Sequence, residues 1–385
     1  MAELPRAQWT GREDLAALVE ALGANDVRYV GGAVRDTLLG SPAHDIDIAT
    51  RLKPAETIAR LDAAHIRSVP TGLAHGTVTA ILEGGKVEIT TLRKDVTTDG
   101  RRAEVAFTDE WMEDAARRDF TLNALYADPV SLEISDYFGG VDDLAAGRVR
   151  FIGDAHQRIR EDHLRILRYF RFQARFGSPP ADDQAESACA ELAPTLKALS
   201  RERIGWEVKN LLGLPDPAPT VARMAELGVL GVILPEADPA GLAPLIAEER
   251  RQHVAPDPIR RLAAMLPPDQ AVAEAVASRL RLSVAKKKRL ATAADRRGEP
   301  GDARALAYRL GRHEALDRLL LAGAETSALE DWEIPRFPLK GGEIVARGVA
   351  AGPEVARILR AVEDRWVAER FPDAERVEQL LNETL

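Results

Sequence analysis

One cysteine, Cys189, is all the chain contains. That excludes an intrachain disulfide and any cysteine-based zinc site, and it suits a reducing compartment. Aromatic residues are scarce at 5%, too few for base stacking on several aromatic platforms to be the main recognition device. No apolar run approaches the roughly 18–20 residues that span a bilayer. Charged residues Glu3, Arg6, Arg12, Glu13 and Asp14 stand where a secretory signal would be apolar. A cytoplasmic protein with no membrane partner is therefore expected. Basic residues are also outnumbered: 52 Lys and Arg face 61 Asp and Glu, a net charge of -9. Taken as a sum, this disfavours a nucleic-acid partner, but a sum does not say where the charges lie.

What is present can build a core. The chain has 385 residues, 45% hydrophobic, enough for two to four domains of roughly 100–200 residues each. The first 150 or so mix strand-like and helical runs. Val27, Arg28, Tyr29 and Val30 form a short apolar run before two glycines, and the segment 45–48 alternates with period 2. The β-branched runs 77–82 and 86–91 flank Glu83, Gly84 and Gly85 and predict a hairpin. Thr10 is the expected N-cap of a helix over 11–24, and Pro54 fits the first turn of one over 54–63. Beyond 153 the β signal stops. A continuous helix is expected over 156–176, then short helices punctuated by Pro and Gly, and a last helical unit over 340–385. The class is α+β.

The first chemical signal is GGAVRD at 31–36, placed between a strand and a helix. Gly31 and Gly32 let backbone approach a ligand, the helix N-terminus favours phosphate, and Arg35 can add a charge-assisted bond. Alone this pattern is weak. The second signal, Asp45-Ile46-Asp47, strengthens it. Residues two apart in a strand face the same way, so both carboxylates project together, which is costly unless a cation sits between them. Mg²⁺ takes such oxygen ligands and shares them with substrate phosphates. Glu88, on the strand around 87–90, is the expected third carboxylate of a phosphoryl- or nucleotidyl-transfer site.

RRDFTLNA at 117–124 places Arg117 and Arg118 before Asp119. One arginine is expected to pair with Asp119 and the other to face a ligand, while Asn123 would bond a ribose hydroxyl or cap a turn. In EDHLRILRYFRF at 161–172, Asp162, Arg165 and Arg168 step by three along one helix face, with Arg171 continuing the row. An exposed ion pair is the plain alternative. The functional reading is a base-edge reader. Ionised Asp supplies only acceptors and Arg only donors. One of each satisfies the donor–acceptor edge of cytosine or adenine and rejects uracil and guanine, at ~1–3 kcal/mol per unmet group.

Taken in order, GGAVRD, DID, EITTLRKDVTTDGRRAEVAF, RRDFTLNA and EDHLRILRYFRF resemble the class II tRNA nucleotidyltransferase and bacterial poly(A) polymerase superfamily, and most closely a CCA-adding enzyme. The resemblance covers roughly residues 27–210. It implies a polymerase-β-like nucleotidyltransferase head over 1–150, then an all-helical neck over 151–212, body over 213–330 and tail over 331–385. It implies Asp45 and Asp47 as ligands of a catalytic Mg²⁺, with Glu88 as the third carboxylate. It also implies Gly32 and Arg35 on the triphosphate, Arg117 and Arg118 on the nucleotide, and Asp162 and Arg165 as an amino-acid template for CTP and ATP. Arg168 and Arg171 would add contacts. The segment 94–107, with Asp95, Asp99, Arg101 and Arg102, resembles a head loop that supports ATP addition.

Such an enzyme must hold the 3′ end of tRNA. The segment 278–291 carries Arg279, Arg281, Lys286, Lys287, Lys288 and Arg289 without an acid, and is the expected phosphate-contact helix. Poly(A) polymerase activity or partial CC- or A-adding activity within the same family stands as the alternative. A catalytically silent nucleotide- or RNA-binding module is the remote one.

Overall fold

The computed structural model describes residues 2–43, 45–99, 102–296 and 301–385, the side chains of 95–99 and 102–105 apart. Seven strands form the main sheet: β1 (Val27–Val30), β2 (Ile46–Thr50), β3 (Ser68–Gly72), β4 (Thr77–Leu82), β5 (Gly85–Thr91), β8 (Leu125–Ala127) and β9 (Ile134–Asp136). Their order is β3-β4-β5-β2-β1-β8-β9. The β2–β5 pair is parallel and its neighbours are antiparallel. A separate hairpin joins β6 (Arg93–Asp99) to β7 (Arg102–Phe107).

Period-2 alternation explains how the sheet sits. Ile46, Ile48, Val78, Ala80, Val87 and Ile89 are all buried. Their strand neighbours Asp47, Glu88, Lys86 and Ile81 belong to the opposite face. A one-residue slip of β2 would bury Asp47 and expose two isoleucines, each worth roughly 1.5–3 kcal/mol buried, so core packing fixes what the strand presents. The predicted 77–91 hairpin is present, with Leu82 paired to Gly85. Its turn is tied to the first helix, where the Gly84 N–H donates to Asp14 at 2.8 Å. The head helices are α1 (Glu13–Leu22), α2 (Gly32–Leu38), α3 (Pro54–Ala63), α4 (Trp111–Ala116) and α5 (Gly140–Ala145). The α3 range matches expectation. For α1 the start shifts, because Thr10 lies in a 3-10 turn closed on Ala7 and Arg12 takes the N-cap position.

The expected continuous helix over 156–176 is broken. It forms α6 (Ala155–Glu161) and α7 (Arg165–Phe176). Asp162 is extended at φ -152 and ψ 105, and its Oδ1 accepts the Leu164 N–H at 3.1 Å. This local side-chain-to-backbone bond competes with the helical ladder and restarts the helix. Behind α7 an aromatic cluster anchors the break: Phe120 lies 4.9 Å from Phe151 and 5.1 Å from Phe172 between ring centroids.

The first compact unit comprises residues 1–211 with 223–233, and so includes α8 (Asp183–Leu192) and α11 (Val229–Ile233). Helices α9 (Arg201–Leu212) and α10 (Ala218–Glu226) run across its boundaries. The second unit holds residues 212–222 and 234–385, with α12 (Leu242–Arg251), α13 (Pro258–Met265), α14 (Gln270–Arg279), α15 (Val284–Ala294), α16 (Ala303–Leu310) and α17 (Arg312–Leu321). Its final helices, α18 (Gly341–Val345), α19 (Pro353–Ala368) and α20 (Ala374–Thr384), close on a separate apolar cluster around Trp366. Among the described residues no helix is long and apolar enough to cross a membrane.

Candidate active site

Two cavities in the first unit meet at one residue. The first, about 530 Å³, is lined by Asp45, Asp47 and Glu88 together with Thr71, Thr79 and Lys86. The second, about 540 Å³, also reaches Asp47 and is lined by Gly31, Gly32, Asn123 and Asp162. Asp47 is therefore the shared wall.

The carboxylate side follows from the sheet. Asp47 and Glu88 are direct partners in the parallel β2–β5 register. Asp45 sits just before β2 and is exposed, as is Glu88, while Asp47 is half-buried. Burial pushes the Asp47 carboxyl up to about 6, Glu88 and Asp45 adding to the rise and Arg118 opposing it. All three acids line this one cavity.

The second cavity is cationic. Arg35, Arg93, Arg117, Arg118, Arg165, Arg168 and Arg203 line it against three aspartates. Gly31, at φ 71, opens α2 in the left-handed region that favours glycine. Arg35 lies in this cavity wall. It is buried and donates to Asp36 at 2.8 Å and to Asn123 Oδ1 at 2.6 Å, stacked 4.3 Å over Phe176. Asn123 donates in turn to Asp119 at 3.0 Å. The expected pairing in the RRDFT segment is corrected. Both arginines go to Asp114, Arg117 at 2.8 Å and Arg118 at 3.1 Å, with the Tyr126 hydroxyl donating at 2.6 Å. Asp119 instead holds Arg168 at 2.6 Å. The helix period carries Arg168 over Asp119, a relation that residue adjacency hides.

The template residues do line one cavity, although Asp162 lies at the helix break and not on the Arg165 face. Arg203 donates to Asp162 Oδ2 at 2.6 Å. Arg165 donates to Glu161 at 2.6 Å and to the Arg158 carbonyl at 2.8 Å. Arg171 departs from expectation: it turns to the buried Glu207 at 2.6 Å and does not line the cavity. Arg93 and Arg203 were missed because tertiary packing brings them in with no local motif, and Asp114 because it precedes the RRDFT motif, although its i,i+3 and i,i+4 spacing to Arg117 and Arg118 is local. Of the 94–107 segment, Arg101 and the side chains of Asp95, Asp99 and Arg102 lie outside the described residues.

The expected basic helix is two helices, with α14 ending at Arg279 and α15 starting at Val284. Arg279 is bound to Glu236 at 2.5 Å, and Arg289 to Asp317 at 2.6 Å and Asp257 at 3.0 Å. These two are structural ion pairs. Lys287 bonds Ser278 at 3.0 Å, whereas Lys286, Lys288 and Arg281 are exposed.

Residues 27–150 match the Poly A polymerase head domain, and 182–240 match the probable RNA and SrmB-binding site of polymerase A. The mitochondrial CCA tRNA nucleotidyltransferase 1 of Danio rerio is 34% identical over 93% of this chain and 88% of its own length. The chain belongs to the CCA tRNA nucleotidyltransferase family. The CCA-adding enzyme of Enterococcus faecalis is 40% identical over 52% of this chain and 50% of its own. The Bacillus stearothermophilus CCA-adding enzyme in complex with CTP has a TM-score of 0.74 at 25% identity, covering 96% and 97% of the two chains. The α+β class with helices following a sheet-containing head accords with that fold.

Nucleotidyltransferases of this family depend on a divalent metal in general, and the donor set here fits one. Asp45, Asp47 and Glu88 offer only hard carboxylate oxygens on one cavity wall. Among the described residues no group of three or more His, Cys, Asp or Glu side chains is already gathered around one point.

Proposed function

We propose that this chain adds CCA to the 3′ end of tRNA from CTP and ATP, releasing pyrophosphate. The observation that carries the reading is Asp47, the wall common to a carboxylate cavity and an arginine cavity. Such an arrangement suits an attacking hydroxyl on one side and a nucleoside triphosphate on the other. The head, neck, body and tail divide at 150, 212 and 330, and the body and tail hold the tRNA. The enzyme acts in the cytoplasm.

Asp45, Asp47 and Glu88 would hold Mg²⁺, which when bound supplies charge neutralisation at the attacking and leaving oxygens. The RNA 3′-hydroxyl enters on the Thr71, Thr79 and Glu88 side. Arg117 and Arg118, fixed by their shared grip on Asp114, turn their remaining N–H groups to the triphosphate. Arg35, pinned by Asn123 and Asp36, fixes the backbone near Gly31 and Gly32.

Base choice falls to Asp162 and Arg165. Each Asp162 oxygen already accepts one internal donor and keeps a second lone pair for an amino group. Arg165 keeps N–H groups beyond those spent on Glu161 and the Arg158 carbonyl. The pair accepts the donor–acceptor edge shared by cytosine and adenine.

Incubation with Mg²⁺ and tRNA lacking its CCA end, with each NTP singly and then CTP with ATP, tests the reading. CTP alone is expected to add two nucleotides, and both together three before addition stops. Long A tails would identify a poly(A) polymerase, and no incorporation would refute the reaction.

A further inference from the structure

We infer that Trp206 is a stacking platform for an unpaired base of the RNA acceptor's 3′ end, just outside the nucleotide cavity. The inference rests on the reaction proposed above and adds a residue that no sequence motif marks. Trp206 is 52% exposed, whereas Trp9, Trp111 and Trp366 are all at most 7% exposed. A large aromatic side chain left half in water forgoes burial that these three obtain.

Its position is specific. Trp206 follows Arg203 by three residues on α9, so the two share a helix face, and Arg203 lines the nucleotide cavity. The Arg171 guanidinium lies 5.3 Å from the Trp206 ring and 4.7 Å from the ring of Phe172, another cavity-lining residue. Arg171 is itself fixed by the buried Glu207. The indole therefore has a rigid cationic support and is oriented before any ligand arrives. A cationic rim beside an aromatic ring is the combination that holds single-stranded nucleic acid: arginine for the backbone, ring for the base. Duplex RNA presents no unstacked base to such a ring. The occupant is thus a single-stranded RNA end, held at the rim of the arginine cavity.

Stacking on one aromatic is worth about 1–3 kcal/mol per base, or roughly tenfold or more in affinity. In the full-length protein, Trp206→Ala is expected to raise the KM for tRNA lacking its CCA end about tenfold, with the CTP KM within about twofold of the parent. Trp206→Phe should restore most of that loss. Tryptophan fluorescence gives an independent readout: a hairpin RNA with a single-stranded 3′ overhang should quench the parent and not Trp206→Phe. Blunt RNA or CTP alone should not quench. Quenching that persists in Trp206→Phe, quenching by CTP alone, or an unchanged acceptor KM in Trp206→Ala would overturn the assignment. Because quenching reads binding alone, its failure is distinguishable from a parent protein that adds no nucleotide.

Discussion

Asp47 and Glu88 stand directly opposite one another on adjacent parallel strands. Burial, then Glu88, raise the Asp47 carboxyl to about 6. Because the folded value lies above the unfolded one, the stability this group contributes is present below about pH 4 and is lost as pH rises through about 6. Asp47→Asn removes that cost. In EDTA at pH 8 the variant is expected to be more stable than the parent, by at most about 3 kcal/mol, with the gap closing toward pH 4. Nucleotide addition should be abolished in the same variant. Denaturant unfolding across this range checks the first half, and a variant less stable at pH 8 would contradict it.

Asp114 carries the opposite sign. Burial alone would raise it, but Arg118, Arg117 and the Tyr126 hydroxyl outweigh burial and hold it at about 2. Its contribution to stability is present above about pH 4 and lost as pH falls through about 2. Asp114→Asn should lose about 2 kcal/mol at neutral pH, and the difference should shrink in acid. With Arg117 and Arg118 unanchored, the KM for CTP should rise about tenfold. Loss of stability with an unchanged CTP KM would mean that Asp114 supports the fold alone.

Much of this site was legible in the sequence because its elements are local. Period-2 alternation set Ile46 and Ile48 against Asp47, and the 77–91 hairpin set β5 to carry Glu88. The failures concern which partner each arginine takes. Arg35, Arg168 and Arg171 take Asn123, Asp119 and Glu207 through packing, whereas Arg117 and Arg118 reach Asp114 by i,i+3 and i,i+4 spacing that lies just before the RRDFT motif. The break at Asp162 was hidden because both flanking segments have good helical patterns. A single side-chain bond to the Leu164 N–H decides the matter. Likewise Arg203 reaches Asp162 from a helix 41 residues away.

Glu161 is a positioning residue for base choice. It holds Arg165 at 2.6 Å and Arg158 at 3.1 Å, and it is mostly buried. Removing it frees Arg165 to take other rotamers without removing the donor. Glu161→Ala should therefore raise UTP and GTP misincorporation about tenfold while CTP and ATP addition persists. Arg165→Ala should relax selection further. Single-nucleotide incorporation assays with each NTP measure both effects. Unchanged fidelity in both variants would mean that the base edge is read elsewhere.

The basic stretch in the second unit separates into two kinds of residue that salt and heat should tell apart. Arg289 binds Asp317, which is 0% exposed. Arg289→Ala leaves the buried Asp317 carboxylate with only the longer 3.8 Å contact to Arg260 and should be destabilising, by up to about 3 kcal/mol, visible as a lower melting temperature. Lys286 and Lys288 are exposed on α15. If they bind RNA phosphates, each neutralised phosphate releases counterions. The double variant Lys286→Ala with Lys288→Ala should then reduce the slope of log affinity for tRNA against log salt by up to about two, one for each lysine removed. Its melting temperature should stay within a degree or so of the parent, since surface substitutions shift stability by only about 0.5 kcal/mol. Filter binding of tRNA between low and moderate salt is the measurement. A slope that does not move would remove this helix from the RNA surface.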